Sequence, residues 1–498
     1  MTKRLYNLID GKWSKTNKYD TILNVLTGEI NYRVPNTCSS ELMPFINSIN
    51  KIPKSGLHNS FKNPERYQML GEVCFKTAHT LHDSEVQDKI INEIISVTGK
   101  TKSQAYKELL VTRKFLENFS GDQVRFLAKG FNTPGDHFGQ MANSYRWPYG
   151  ATAVISPFNF PLEIPLLQLM GSLFMGNKPI LKVDSRVSLV MDSIIKILHL
   201  NGLPKNDVDI IHCNGNIMEE LLTSSNIKLT QFTGSKKVAD KLSEKLKGKI
   251  KIEDAGFDWK IIGPKDKSIT KDEHQLIYET CNNDAYSFSG QKCSAQSILF
   301  LHNSWDINKF RSSLKKLSKK KTMGPLISIN NIDIKNQINN ILNIKGAKLW
   351  FGNEIIDSKC VPSNFGLIKP TAIYIPIKNI TDDNYKLVFN EIFGPVQIIT
   401  EYDDIQDVLD LCEKMDAHLT GAVVSNEPKF VNHVLGNTVN GTTYTGINAR
   451  TTGAPQNHWF GPCGDPRSAG IGTPESIIYT WSSHREIIQD EGNYQLYK

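Results

Sequence analysis

From about residue 150 onward, short apolar runs rich in Val, Ile and Leu alternate with longer amphipathic stretches, each pair joined by a brief polar link. The runs predict strands over 151–156, 178–183, 207–213, 228–233 and 249–253, and the amphipathic stretches predict helices near 162–175, 188–201, 217–225 and 235–246. Strands that are apolar on both faces and linked through helices form a parallel sheet covered on two sides, so the expected class is α/β and doubly wound. A second unit follows: a helix over 271–286, a loop at 289–294, a strand over 295–302, a basic helix over 306–320, strands around 371–375 and 397–402, a helix over 405–414 and a strand over 421–425. The first 150 residues suggest mostly helical packing. Residues 326–365, rich in Asn, Ile and Gly, show no repeat and suggest no element.

Composition fits an ordinary globular chain: of 498 residues, 39% are hydrophobic and 22% charged, with 34 Gly and 22 Pro, which excludes a disordered or collagen-like chain. The longest apolar stretch, 164–175, is interrupted by Pro165, Gln168, Gly171 and Ser172, so no membrane span is expected. Neither an apolar signal core nor a long Arg-rich transit pattern is visible at the start, which suggests a cytoplasmic or already processed chain. The eight cysteines include no C-x-x-C pair, and the twelve histidines include no H-x-H or H-E-x-x-H, so neither a disulfide framework nor a metal site is expected. The net charge of +7 changes little, because the one dense basic run, Lys319–Lys321, lacks interleaved aromatics, and nucleic-acid binding is not expected.

Candidate chemistry sits at predicted strand ends. Ser156-Pro-Phe-Asn159 follows the strand over 151–156, at the carboxyl edge where open α/β sheets bind ligands, and Asn159 there can donate to an oxyanion or close an Asx turn. Phe232-Thr-Gly-Ser235 follows another strand, with Ser235 placed to cap the next helix and Gly234 leaving room for a phosphate, although any N-cap has this form. Neither G-x-G-x-x-G nor a P-loop occurs, so a dinucleotide would bind through a different loop. Glu253 ends the strand over 249–253 and Asp254 follows it, a carboxylate pair at a strand end, although either acid also suits a surface position. Gly290-Gln-Lys-Cys293-Ser294 sets a cysteine in a small-residue loop before a buried strand, a plausible nucleophile seat, although a lone cysteine also packs as a small hydrophobe. Glu391-Ile-Phe393-Gly-Pro395 projects a carboxylate and an aromatic to one side of an extended segment, fit to grip a ribose and press on a flat ring, although a plain turn before a strand has the same form.

Taken together and in order, Asn159, Lys182, Ser235, Glu253, Cys293 and Glu391 with Phe393 resemble the aldehyde dehydrogenase superfamily. Arg146-Trp-Pro-Tyr-Gly150, Glu253-Asp-Ala-Gly-Phe-Asp-Trp-Lys260, 290–296 and 451–461 are most similar to the plant-type delta-1-pyrroline-5-carboxylate dehydrogenases. The resemblance implies Cys293 as nucleophile, Asn159 with the Cys293 N–H as oxyanion donors, and Glu253 as general base. It implies NAD held by Ser156, Pro157, Phe158, Lys182, Gly234, Ser235, Glu391 and Phe393. It further implies a substrate carboxylate seated on Ser294 and the amides of Gly453 and Ala454, with Phe460 as an aromatic wall.

The implied fold is two doubly wound α/β domains plus a small β oligomerisation arm: 1–257 with 430–475 for NAD, 258–429 for catalysis, and 140–150 with 476–498 pairing subunits as a homo-oligomer. The implied reaction is oxidation of L-glutamate γ-semialdehyde to glutamate in proline catabolism, in the mitochondrial matrix as in eukaryotic members. Oxidation of another small aldehyde and a non-catalytic scaffold are the alternatives. Two motifs depart from the superfamily: the usual Lys-Pro-Ser-Glu is Lys182-Val-Asp-Ser185, and the usual Glu-Leu-Gly-Gly is Glu253-Asp-Ala-Gly256.

Overall fold

The computed structural model describes residues 2–254, 256–416, 418–453 and 461–490. Two seven-stranded sheets carry it. In the first, the strands run in the spatial order Ile250–Glu253, Leu229–Thr233, Ala151–Ser156, Lys178–Val183, Asp209–Ile210, Asn7–Ile9 and Lys12–Ser14. The first five are parallel, and the last two form an antiparallel hairpin added at the edge. Asp10 and Gly11 close that hairpin with φ of 47° and 79°, the left-handed pair that a tight two-residue turn demands.

From Ala151–Ser156 the chain steps outward through Lys178–Val183 to Asp209–Ile210, then returns to place Leu229–Thr233 on the opposite side. That reversal opens a crevice at the carboxyl ends of Ala151–Ser156 and Leu229–Thr233, the place where doubly wound sheets bind ligands. The second sheet runs Lys348–Phe351, Thr371–Tyr374, Val396–Tyr402, Gln296–His302, Asp258–Ile262, Thr420–Val424 and Thr442–Thr445, all parallel except the first. It turns the amino ends of its strands toward the crevice, so segments that precede its strands and segments that follow strands of the first sheet converge. At its centre the buried Trp259 ring lies across Gly421 on the neighbouring strand, where a Cβ would come within 2.6 Å of it.

Helix Glu163–Phe174 is buried along almost its whole length, which accounts for its apolar sequence, and no helix among the described residues is long and apolar enough to cross a membrane. Its first turn is met from outside. Glu108, on helix Lys102–Asn118, accepts from the Leu162 and Glu163 amides at 2.9 and 3.3 Å, and its other oxygen pairs with Lys100 at 2.5 Å, both side chains buried. The carboxylate thus satisfies amides left open at a helix start and gains from the helix dipole.

Several expectations need correction. The strand expected over 207–213 shrinks to Asp209–Ile210, because Lys205–Asp207 forms a 3-10 turn after Pro204 and the His212 amide turns away to Asn7. Before residue 36 the chain forms short strands, and 326–365 does contain elements, helix Asn331–Leu342 and strand Lys348–Phe351. Strand Asp258–Ile262 was not expected at all. The segment 430–475 is divided between the sheets: Thr442–Thr445 extends the second, while Ser468 bridges Ile252 in the first. A separate antiparallel sheet joins Asn132–Pro134, Gln140–Pro148 and Ser482–Asp490, and leaves Phe131, Phe138, Met141 and Ile488 exposed.

Candidate active site

A crevice of about 550 Å³ between the two sheets is lined by Ser156, Pro157, Phe158, Asn159, Lys182, Gly234, Ser235, Glu253, Cys293, Glu391 and Phe393. Every one of these was singled out in the sequence. On the far side of Cys293 a second chamber of about 380 Å³ is lined by Phe160, Phe288, Lys292, Cys293, Ser294 and Gly453, with Lys100, Lys107, Glu108 and Arg450 in its wall. Cys293 lines both cavities. Ala454 and Phe460 lie outside the described residues.

The loop that carries Cys293 is bent and clamped. Phe288, Ser289 and Gly290 take φ of 53°, 53° and 69°, a left-handed run that costs about 1–3 kcal/mol at each non-glycine position and persists only where neighbours enforce it. Here they do. Ser289 Oγ exchanges hydrogen bonds with the Gly324 carbonyl and amide, and Gln291 bridges the Pro325 carbonyl and the Ile327 amide at 3.0 Å each. Gly290 presses on Gly394 and Pro395, where a Cβ would come within 2.1 Å of the Gly394 oxygen. The Cys293 loop and the Glu391–Pro395 segment, far apart in sequence, are therefore packed backbone against backbone.

Around the thiol, acids dominate. The Cys293 thiol hydrogen-bonds the Glu253 carboxyl, and burial together with Glu253, Asp258 and Glu391 pushes the thiol well above its ordinary range. Burial lifts Glu253 to about 7, against the opposing pull of the thiol hydrogen bond and with a further rise from Asp254. Glu391 is held well above the usual carboxylate range, first by burial and then by Asp258, Glu253 and Asp254. Gly256 backs this group; a Cβ there would meet Glu391 Oε1 at 2.3 Å and the Cys293 carbonyl at 2.5 Å. A carboxyl at about 7 can take up and return a proton near neutrality, which is what a general base needs.

Sequence reasoning missed several members. Asp258 is buried, with Oδ1 accepting from the Thr420 amide at 2.7 Å and Oδ2 without a partner among the described residues, and burial raises its carboxyl well above the usual range. Asp284 is taken by Lys260 Nζ at 2.7 Å, the Thr451 amide at 2.8 Å and Thr452 Oγ1 at 3.2 Å. In the crevice Asp184, which follows Lys182, grips Arg186 through Nε at 2.9 Å and Nη2 at 2.6 Å, and the Arg186 guanidinium lies 4.9 Å from the centre of the Phe158 ring. Phe158 and Phe393 meet edge to face at 5.7 Å, with Phe393 itself at φ 54°. Ser235 occupies the N-cap position of helix Lys236–Lys245 but makes no side-chain cap bond, unlike the cap expected of it. In the second chamber Arg450 comes within 4.0 Å of where a Cβ on Gly453 would stand.

The aldehyde dehydrogenase family model matches residues 57–482. A probable aldehyde dehydrogenase of Linum usitatissimum is 50% identical over 98% of the chain and 89% of its own length. The mitochondrial delta-1-pyrroline-5-carboxylate dehydrogenase 12A1 of Arabidopsis thaliana is 50% identical over 98% of the chain and 88% of its own length. Among solved structures, a putative methylmalonate-semialdehyde dehydrogenase of Sinorhizobium meliloti complexed with NAD superposes with a TM-score of 0.82 at 19% identity, covering 100% of this chain and 99% of that one. A 1-pyrroline-5-carboxylate dehydrogenase from Thermus with bound NAD superposes at 0.81 and 20% identity, covering 98% and 93%.

Proposed function

The chain belongs to the aldehyde dehydrogenase family, and we propose that its reaction is the NAD-dependent oxidation of L-glutamate γ-semialdehyde, which forms from delta-1-pyrroline-5-carboxylate, to L-glutamate. The observation that carries this reading is Cys293 standing between two chambers of different chemistry, in a chain half identical to a relative named for that activity. The relative is named as mitochondrial, which supports the same compartment here and a place in proline breakdown. We extend the proposal to a homo-oligomer joined through the exposed apolar side chains of the Gln140–Pro148 and Ser482–Asp490 sheet.

The residues of the crevice fit a dinucleotide. Ser156 Oγ and Asn159 Oδ1 are buried there without a partner among the described residues, and the open first turn of helix Lys236–Lys245 is a ready seat for a pyrophosphate. Lys182 and Glu391 would hold ribose hydroxyls, and Phe393 would flank the nicotinamide. When bound, NAD supplies the hydride acceptor.

The protein supplies the rest. In the second chamber, Ser294 and the Gly453 amide would hold the substrate carboxylate, with Arg450 close enough to pair with it. The Cys293 thiolate attacks the aldehyde carbon, and the resulting oxyanion meets the Asn159 amide and the Cys293 N–H. Loss of hydride leaves a thioester. Glu253 then takes a proton from the attacking water, a carboxylate is released, and the thiol is restored.

The test is NADH absorbance with purified protein, NAD and pyrroline-5-carboxylate, beside propanal as an uncharged aldehyde. Turnover that favours pyrroline-5-carboxylate supports the whole reading. Turnover of propanal alone removes the substrate assignment, and none with either removes the enzyme.

A further inference from the structure

Lys292 immediately precedes the nucleophile, yet the reaction as described gives it no part. Its side chain lines the substrate chamber beside Cys293 and Ser294. The nearby acids are already engaged: Glu108 by Lys100 and two helix amides, and Asp284 by Lys260, Thr451 and Thr452. Lys292 thus stands as a cation without an ion-pair partner within 4 Å among the described residues. Burial lowers its ammonium to about 8, helped by Lys100 and Lys107 and opposed by Asp284 and Cys293, so it is still charged near neutrality.

The thiol beside it has the opposite difficulty. Burial first, and then the nearby Glu253, Asp258 and Glu391, disfavour the thiolate, which is the form that attacks an aldehyde. Asp258 and Glu391 come from the second sheet and the segment before one of its strands, Glu253 from the first sheet. On the other flank, in the neighbouring residue, the Lys292 ammonium lines the same chamber as Cys293 and is itself favoured by that thiol's negative form.

We infer that Lys292 is the counter-cation of the nucleophile: its unpaired ammonium in the chamber wall favours the thiolate against its dry, acidic surroundings and so sets the fraction of Cys293 present as thiolate. Lys292 acts through Cys293 and is a positioning residue rather than a catalytic one. The inference rests on the reading of Cys293 as nucleophile and is independent of which aldehyde is oxidised.

The test is inactivation of the full chain by iodoacetamide across roughly pH 6 to 10, with mass spectrometry assigning the alkylated residue, for the wild type, Lys292→Met and Lys292→Arg. In Lys292→Met the midpoint of the rate profile rises by about one pH unit, so that labelling at neutral pH is about tenfold slower. Lys292→Arg, which keeps the charge, labels within about twofold of the wild type. Iodoacetate run in parallel separates two roles for the cation. If Lys292→Met slows iodoacetate alone, Lys292 only attracts anions and the inference falls. If wild-type Cys293 labels and Lys292→Met has the same profile, the inference falls while the nucleophile stands. If wild-type Cys293 does not label, both fall. Melting of each variant is followed alongside, and Lys292→Gln replaces Lys292→Met, with the same outcomes, should the methionine not fold.

Discussion

On one side of Cys293 the wall carries Glu253, Asp254 and Glu391, whereas on the other it carries Lys100, Lys107, Lys292 and Arg450. The first set is buried or half-buried, and that burial, to which the neighbouring acids add, makes each carboxyl reluctant to ionise. The second is graded from a buried Lys100, satisfied by Glu108, to an exposed Lys107 and Arg450 at the mouth. The difference follows from the fold. The acids stand at strand ends that converge at the crevice, while the cations arrive on a helix start, a helix surface and a loop, which can face solvent. Under the proposed reaction one side exchanges protons and receives a cationic ring, and the other draws in a carboxylate.

The sharpest break in this arrangement is at its junction. Cys293→Ala removes the atom both chambers share, and NADH formation should fall by at least about 10⁴-fold, while NAD binding, followed by quenching of tryptophan fluorescence or by calorimetry, persists. Turnover near the wild-type rate would remove the covalent mechanism. Next in size is Glu253→Gln, which leaves the shape of the acidic wall but takes away its proton acceptor. Turnover should drop about 10²- to 10³-fold, with the thioester accumulating on Cys293 as a mass increment. The wild type itself should lose activity as pH falls below about 7, because the base acts in its ionised form and protonation of Glu253 removes it. That acid limb is absent in Glu253→Gln.

The acidic side was almost entirely legible in the sequence and the cationic side was not. Asn159, Ser235, Glu253 and Cys293 each lie within three residues of a strand end, and apolar runs locate strand ends well. Lys107 and Arg450 adjoin no such boundary. Lys107 looks like any solvated residue of helix Lys102–Asn118, and Arg450 lies in an irregular loop, so only tertiary packing brings them to one wall. Asp258 and Lys260 concealed strand Asp258–Ile262: two ionisable residues in a short run read as surface, whereas here the strand is buried on both faces and these side chains are met by Thr420 and Asp284. Helix Asn331–Leu342 hid behind its asparagines, although Ile334, Ile338 and Ile341 keep the helical spacing.

The cationic side is sharpened by Arg450→Gln. The residue is exposed, so solvent limits its pull, and kcat/KM for pyrroline-5-carboxylate should fall only about fivefold, through KM, with propanal unchanged. An equal loss for both aldehydes would mean that Arg450 shapes the chamber without reading charge.

The smallest effect expected is the most exacting about the acidic side. If Asp258 is held neutral, as its buried and partnerless Oδ2 and the raised carboxyl indicate, Asp258→Asn exchanges one uncharged group for another and keeps the oxygen that accepts from Thr420. Turnover and the pH profile of Cys293 alkylation should then stay within about threefold of the wild type. An ionised Asp258 predicts a different result. Its removal would take a negative charge from beside the thiol, lower the alkylation midpoint and speed labelling near neutrality. The direction of that shift therefore reads the protonation of a buried group that touches no substrate, and decides whether the carboxyls facing the nucleophile oppose the thiolate by their charge or chiefly by the dry environment they share with it.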